Sequence, residues 1–170
     1  LHVYPTLVAH GEPLASVRGV MNAIEVHSDF LGRSMYEGRG AGAGPTASAV
    51  ASDIVDAARA LRRETREIAP APASSTEQRL RPFGETRSRF FCRMIVADRP
   101  GVLKKVAGAY AARKISIDSV IQKAAANGVA RLVVTTHEAA QKDADAAARA
   151  VGRFPETRGP VALFHILPKP

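Results

Sequence analysis

Between two stretches of regular hydrophobic periodicity lies Ile68-Ala69-Pro70-Ala71-Pro72-Ala73-Ser74-Ser75-Thr76, and it constrains the rest of the chain more than any other feature. Its prolines fix φ and lack N–H groups, and its small and hydroxylated side chains offer almost no apolar bulk. Such a segment cannot contribute to a core. The chain is therefore expected to fold as two modules, residues 1–63 and 89–170, joined by a linker over 64–88. At 170 residues in total, each module has room for a modest core.

In the first module, Val3 to Val8 and Val17 to His27 are rich in β-branched and apolar residues, with Gly11-Glu12-Pro13 between them, so both are predicted to be extended. Ser28-Asp29-Phe30-Leu31-Gly32 reads as a turn and Arg33 to Tyr36 as one more short strand. The run EGRGAGAGPTASAV from Glu37 to Val50 then sets glycines at 38, 40, 42 and 44 just before the period changes. From Thr46, the predicted N-cap, Val50, Ile54, Ala57 or Ala58 and Leu61 recur at helical spacing. A glycine-rich loop ahead of a helix start can present backbone N–H groups to an anion such as phosphate. Tight turning explains the same glycines, so both readings stand at this point.

Here the residues carry a resemblance. GVMNAIEV, with Asn22-Ala23 inside it, followed by YEGRGAGAGPTASAVASDIVDAAR, resembles the closing part of the catalytic region of the homoserine dehydrogenase family. The resemblance implies an NAD(P)-dependent oxidoreductase that interconverts L-homoserine and L-aspartate 4-semialdehyde. It aligns the family's GAG-type loop with Gly40-Ala41-Gly42 and so places Gly42 against the nicotinamide cofactor, with Gly40, Ala41, Gly44 and Thr46 as lesser candidates. It further implies that the family's catalytic lysine and substrate-binding acidic residues belong upstream of Leu1. No lysine precedes Lys104, and nothing before Gly38 supplies the strand, glycine fingerprint and helix of a dinucleotide-binding unit. No residue here is assigned to catalysis, and the chain alone is expected to bind no cofactor and to turn over no substrate. A start at Leu1 rather than Met fits a fragment.

The second module alternates element types. Phe90 to Ala97 is strand-like and stops at Asp98-Arg99-Pro100-Gly101, after which Val102, Leu103, Val106, Ala109 and Tyr110 form a helical stripe. Ile115 to Lys123 returns to strand character, with Ile115, Ile117, Ser119 and Ile121 predicted on one face. Asn127-Gly128 signals a two-residue hairpin into Val129 to Thr136. Ala139 to Val151 is an alanine-rich helix with Ala140, Ala144, Ala147 and Val151 on one face, and Val161 to Leu167 is the last strand. The order β-α-β-β-α-β is the split arrangement of the ferredoxin-like fold, with both helices on one sheet face. The expected class is α+β, this module being preceded by a strand-and-helix piece of an α/β dehydrogenase. The apolar and small residues on the uncovered face predict self-association.

DRPGVLKKVAGAYAARKISIDSVIQ resembles an ACT domain, the amino-acid-sensing module of many enzymes of amino-acid metabolism. The resemblance covers residues 90–167 and implies an effector site at Asp98, Arg99, Pro100, Gly101, Val102 and Leu103, at Ser116 and Ile117, and, more loosely, at Gln122. A helix start offers N–H groups to a carboxylate, and Asp98 offers a charge to an ammonium. Asp98 is also expected to cap the helix. Threonine is the effector that pathway logic favours, and pairing of ACT modules is the expected homo-oligomeric contact. Two rivals remain: a non-enzymatic amino-acid sensor, and an ACT module serving only subunit assembly.

Bulk properties exclude other classes. The formal charge of +8 invites a nucleic-acid reading, yet the arginines are scattered and aromatic residues make up only 5% of the chain, so no nucleic-acid partner is assigned. Cys92 is the only cysteine, which rules out an internal disulfide and a thiolate metal cluster and fits a reducing cytoplasm. His2, His10 and His27 lack ligand spacing, so no metal is expected. No signal peptide or membrane-crossing apolar run is apparent, and no membrane partner is assigned.

Overall fold

A computed structural model describes residues 3–62, 80–124 and 127–168. In chain order its strands and α-helices are β1 (Thr6–Leu7), β2 (Met21–Ser28), β3 (Gly32–Arg39), α1 (Ala43–Arg62), β4 (Arg87–Ala97), α2 (Val102–Ala111), β5 (Ile117–Ala124), β6 (Val129–Thr136), β7 (Ala139–Ala140), α3 (Gln141–Gly152) and β8 (Ala162–Ile166). They form two compact units: a hairpin unit, Ala9–Arg79, and a sheet unit, Leu1–Val8 with Leu80–Pro170. The stretch Val3 to Val8, which the sequence groups with the first module, lies in the sheet unit. Thr6 and Leu7 pair in parallel with His165 and Ile166 of β8. Of the linker expected over 64–88, residues 64–79 lie outside the described residues, and Arg87 and Ser88 already belong to β4.

The hairpin unit is an antiparallel pair, β2 with β3, from Met21 opposite Arg39 to Ser28 opposite Gly32, followed by α1. The strand foreseen over Arg33 to Tyr36 is longer because each of its residues finds a partner in β2. No residue from Ala9 to Arg62 is fully buried. Ile24, Val26, Val50, Ile54 and Leu61 are all exposed, including the helical stripe read from the sequence. Met21, Ala23 and Glu25 are the partly shielded positions of β2, and Glu25 retains 10% side-chain exposure and pairs with His27 at 2.7 Å.

The sheet unit has strand order β1-β8-β4-β6-β5, with β7 joined to the start of β4, and so contains the ferredoxin-like β-α-β-β-α-β arrangement. Alternation along β4 turns Phe90, Cys92, Met94 and Val96 toward the helices, and β6 adds Ala130, Leu132 and Val134. The helices close over them with Val102, Val106, Ala109 and Tyr110 from α2 and Ala144, Ala147 and Val151 from α3. The α2 set recurs at i, i+4, i+7 and i+8, which is one helical face. Each large apolar side chain buried here contributes about 1.5–3 kcal/mol. The buried Thr136 hydroxyl is satisfied by accepting from the Phe90 N–H at 3.1 Å. Burial pushes the Cys92 thiol up, and burial, followed by the neighbouring Cys92, pushes the Tyr110 phenol well above its ordinary value.

Several details differ from the sequence reading: β4 starts at Arg87 rather than Phe90, and β5 at Ile117 rather than Ile115. α3 begins at Gln141 rather than Ala139 because Ala139 and Ala140 pair with Ser88 and Arg87. This long-range bridge outweighs alanine's helix preference. In β5 a bulge falls between Ile117, opposite Thr136, and Ser119, opposite Thr135. The extra residue moves the side chains beyond it to the other face, so Ile117 packs on the core while Ser119 and Ile121 lie on the uncovered face.

The bulge also presents Asp118 to its neighbours. Its carboxylate accepts from Thr135 Oγ1 at 3.0 Å and from Arg89 Nη2 at 2.8 Å. The Thr135 hydroxyl, and then Arg89, hold Asp118 below its ordinary value of 3.8. Because the folded value is the lower one, this stabilisation is present above about pH 4 and is lost as pH falls through the folded value. Asp118→Asn is therefore expected to flatten the acid limb in urea unfolding measured from pH 6 to pH 2. Parallel stability curves for the two proteins across that range would contradict this.

Candidate functional site

Ala97 ends β4, and the chain must turn there to start α2. Asp98 N–H donates to Gly128 O at 2.9 Å, and Gly101, at φ +88°, supplies the left-handed residue before Val102. Gly101 is therefore the N-cap, and no side chain caps the helix. The expectation that Asp98 caps α2 is corrected: the turn places it ahead of the N-cap Gly101, where its carboxylate instead accepts from Gln122 Nε2 at 3.0 Å. That bond reaches from the β4–α2 loop to β5.

Beneath this loop is a cavity of about 350 Å³. The whole stretch Asp98 to Leu103 lines it together with Gln122, and Val96, Ala97 and Leu132 form its inner wall. The chemistry is divided in space. Asp98 provides negative charge at the mouth, the uncapped first turn of α2 provides N–H groups and the positive dipole end, and the inner wall is aliphatic. Among the described residues Arg99 has no ion-pair partner. The arrangement can accept a small zwitterion with a short side chain.

Ser116 and Ile117 are not in the cavity. They stand at the opposite end of β5 from Gln122, where Ser116 O accepts from the His137 N–H at 3.0 Å and Ile117 pairs with Thr136. Val96, Ala97 and Leu132 were not singled out from the sequence. Leu132 could have been found from the inward alternation of Val129 to Thr136 once β5 and β6 are set side by side with β4. Lys105 of α2 donates to Glu156 and lies outside the cavity. No group of His, Cys, Asp and Glu able to hold a metal occurs among the described residues.

The glycine loop of the hairpin unit is built differently from expectation. α1 starts at Ala43, so Gly44 and Thr46 are helical and Thr46 is not an N-cap. The Thr46 N–H already donates to Gly42 O at 3.1 Å, which makes Gly42, at φ +121°, the residue on which the chain turns into the helix. Pro45 fits the third helical position because first-turn N–H groups have no intrahelical acceptor. Gly40 N–H donates to Val20 O at 2.9 Å, and a Cβ at Gly40 would fall 1.8 Å from Asn22 Nδ2. The Asn22 amide thus occupies the space that glycine leaves. Residues 38–44 are all exposed.

Comparison with known proteins matches both parts. A family profile described as "Homoserine dehydrogenase" covers residues 1–55, and one described as "ACT domain" covers residues 91–156. The homoserine dehydrogenase of Neisseria gonorrhoeae is 36% identical over 98% of this chain, and that of Corynebacterium glutamicum is 41% identical over 83%. A crystal structure of a homoserine dehydrogenase from Thiobacillus denitrificans superposes with a TM-score of 0.76 and 31% identity over 95% of this chain. The chain spans 39% of the length of the Neisseria protein and 37% of the Thiobacillus chain. By sequence and by fold it belongs to the homoserine dehydrogenase family, as a C-terminal part that ends in an ACT domain.

Proposed function

We propose that this chain is the regulatory C-terminal part of an NAD(P)-dependent dehydrogenase that interconverts L-homoserine and L-aspartate 4-semialdehyde, and that its sheet unit senses an amino acid. The observation that carries the sensor reading is the cavity formed by Asp98 to Leu103 and Gln122 under the start of α2. An amino-acid effector brings a carboxylate for the α2 N–H groups and an ammonium for Asp98, and its side chain points to the aliphatic wall of Val96 and Leu132. Threonine, an end product of the pathway, is the first candidate.

The hairpin unit fits a contact to the cofactor rather than a complete cofactor site. Gly42 lets backbone approach a nicotinamide closely, flanked by Gly40, Ala41, Gly44 and Thr46, while an antiparallel hairpin followed by a helix is not the parallel βαβ frame that holds a dinucleotide. The cofactor, when bound, supplies the hydride chemistry. The glycine loop of this chain would help to position it, and the proton-handling groups lie elsewhere in the whole protein.

Self-association is proposed through the sheet. β1 covers the β8 edge, whereas β5 is a terminal strand with Val120 and Ile121 exposed. A strand with one open edge and apolar side chains is a template for a second copy. A cytoplasmic setting agrees with the single, reduced and buried cysteine. No helix among the described residues is long and apolar enough to cross a membrane.

The test is calorimetric titration of this chain with threonine, isoleucine, methionine, serine and lysine, alongside its mass in solution. Saturable binding of one amino acid to a dimer is the expected result. A well-folded dimer that binds none of them overturns the sensor reading and leaves the assembly role, which the open β5 edge favours.

A further inference from the structure

The chain passes between its two units twice. On one side residues 63–79 intervene between α1 and Leu80. On the other, β1 ends at Leu7 and the hairpin unit begins at Ala9. β1 is therefore both an edge strand of the sheet unit and, almost without interruption, the entrance to the other unit.

Its hold on the sheet combines backbone pairing with ring contacts. Two residues pair with β8, the Leu167 N–H donates to Leu7 O at 2.9 Å, and the Tyr4 ring stacks on His165 with centroids 3.8 Å apart. β8 is laddered in turn to β4 from Arg93 opposite Ala162 to Arg89 opposite Ile166. β4 ends at Ala97, the residue before Asp98. One continuous hydrogen-bonded ladder thus connects the mouth of the cavity with β1. Short edge elements belong to the low-stability end of a fold, where local opening costs least. A docked and a released state of β1 would supply the two-state element that a coupling route requires.

We propose that β1 is a tether that transmits occupancy of the Asp98–Leu103 cavity to the unit beginning at Ala9, by docking on β8 or releasing from it. The proposal rests on the sensor reading above. A bound amino acid biases the tether by as much as its affinity differs between the docked and released states.

The experiment uses the whole dehydrogenase with Leu7→Pro, which removes the N–H of a paired residue, with Tyr4→Ala, which removes the stacked ring and leaves the backbone intact, and with Tyr4→Phe, which keeps the ring. Rates are measured with and without threonine, isoleucine and methionine, and binding of the same amino acids is measured by calorimetry. Leu7→Pro and Tyr4→Ala are expected to bind the effector within about threefold of the parent and to keep its effector-free rate, while the half-inhibitory concentration rises at least about tenfold. Tyr4→Phe should restore the response. An unchanged response in both disrupting variants, with the parent responding, overturns the tether and leaves the sensor intact. A parent that binds none of the amino acids overturns the sensor reading, and the tether with it.

Discussion

Phe90→Ala is expected to lower the stability of the sheet unit by about 3–5 kcal/mol, a large share of the roughly 5–15 kcal/mol that holds a domain together. Phe90 has 0% exposure and stands on β4 between β8 and β6, its ring 5.0 Å from that of His165. Truncation removes its apolar surface and leaves a void bounded by strands on both sides and by the helices, where collapse is hard. Phe91, the next residue, points to the uncovered face and is half-buried. In a monomer Phe91→Ala should cost under about 1.5 kcal/mol, because only part of its surface is removed from water. Urea unfolding followed by far-ultraviolet circular dichroism measures both. Equal losses for the two variants would mean that the two faces of β4 are equally covered in solution.

Asp98→Ala is expected to weaken amino-acid binding by about 10- to 100-fold, since a hydrogen bond to a charged group is worth about 1.5–3 kcal/mol. Folding should hardly respond. Asp98 is exposed and its side chain's recorded partner is Gln122, so the stability change should stay within about 0.5 kcal/mol. Gln122→Ala tests the same bond from the other end. It leaves the carboxylate in place but unheld, and should weaken binding by only about two- to fivefold, the worth of a neutral donor's modest net contribution. Calorimetry on the three proteins separates the roles. Unaltered affinity in Asp98→Ala would show that the ammonium is met elsewhere.

The sequence was most informative where local chemistry decides the structure. Asn127 and Gly128 both adopt positive φ, at 66° and 70°, as the hairpin signal requires, and β6 runs from Val129 to Thr136 as its alternation predicts. It was least informative where a distant strand decides. The bulge at Asp118 follows from registry with β6, and no residue type in Ile115 to Lys123 announces it. Ala139 and Ala140 look helical until Arg87 and Ser88 claim them. The start of α1 was missed for another reason: glycine and proline are poor in helix interiors, but Gly44 and Pro45 occupy the first turn, where proline's missing N–H costs nothing. Within the cavity, Asp98 to Leu103 are neighbours along the chain and could be grouped by eye. Leu132 and the bond from Gln122 come from two other strands, and only the sheet brings them together.

The pairing of Thr6 with His165 also has a kinetic consequence. β5 and β6 follow each other closely and β4 is separated from them only by α2, so these strands can condense early, whereas β1 meets β8 only after nearly the whole chain has been brought round. The length of that loop is not the main obstacle, since closure entropy grows by only about 0.6 kcal/mol per doubling. The small return from two paired residues is what delays it. β1 is therefore expected to dock late, so that in a chevron measurement substitutions there change the unfolding limb while the folding limb stays put.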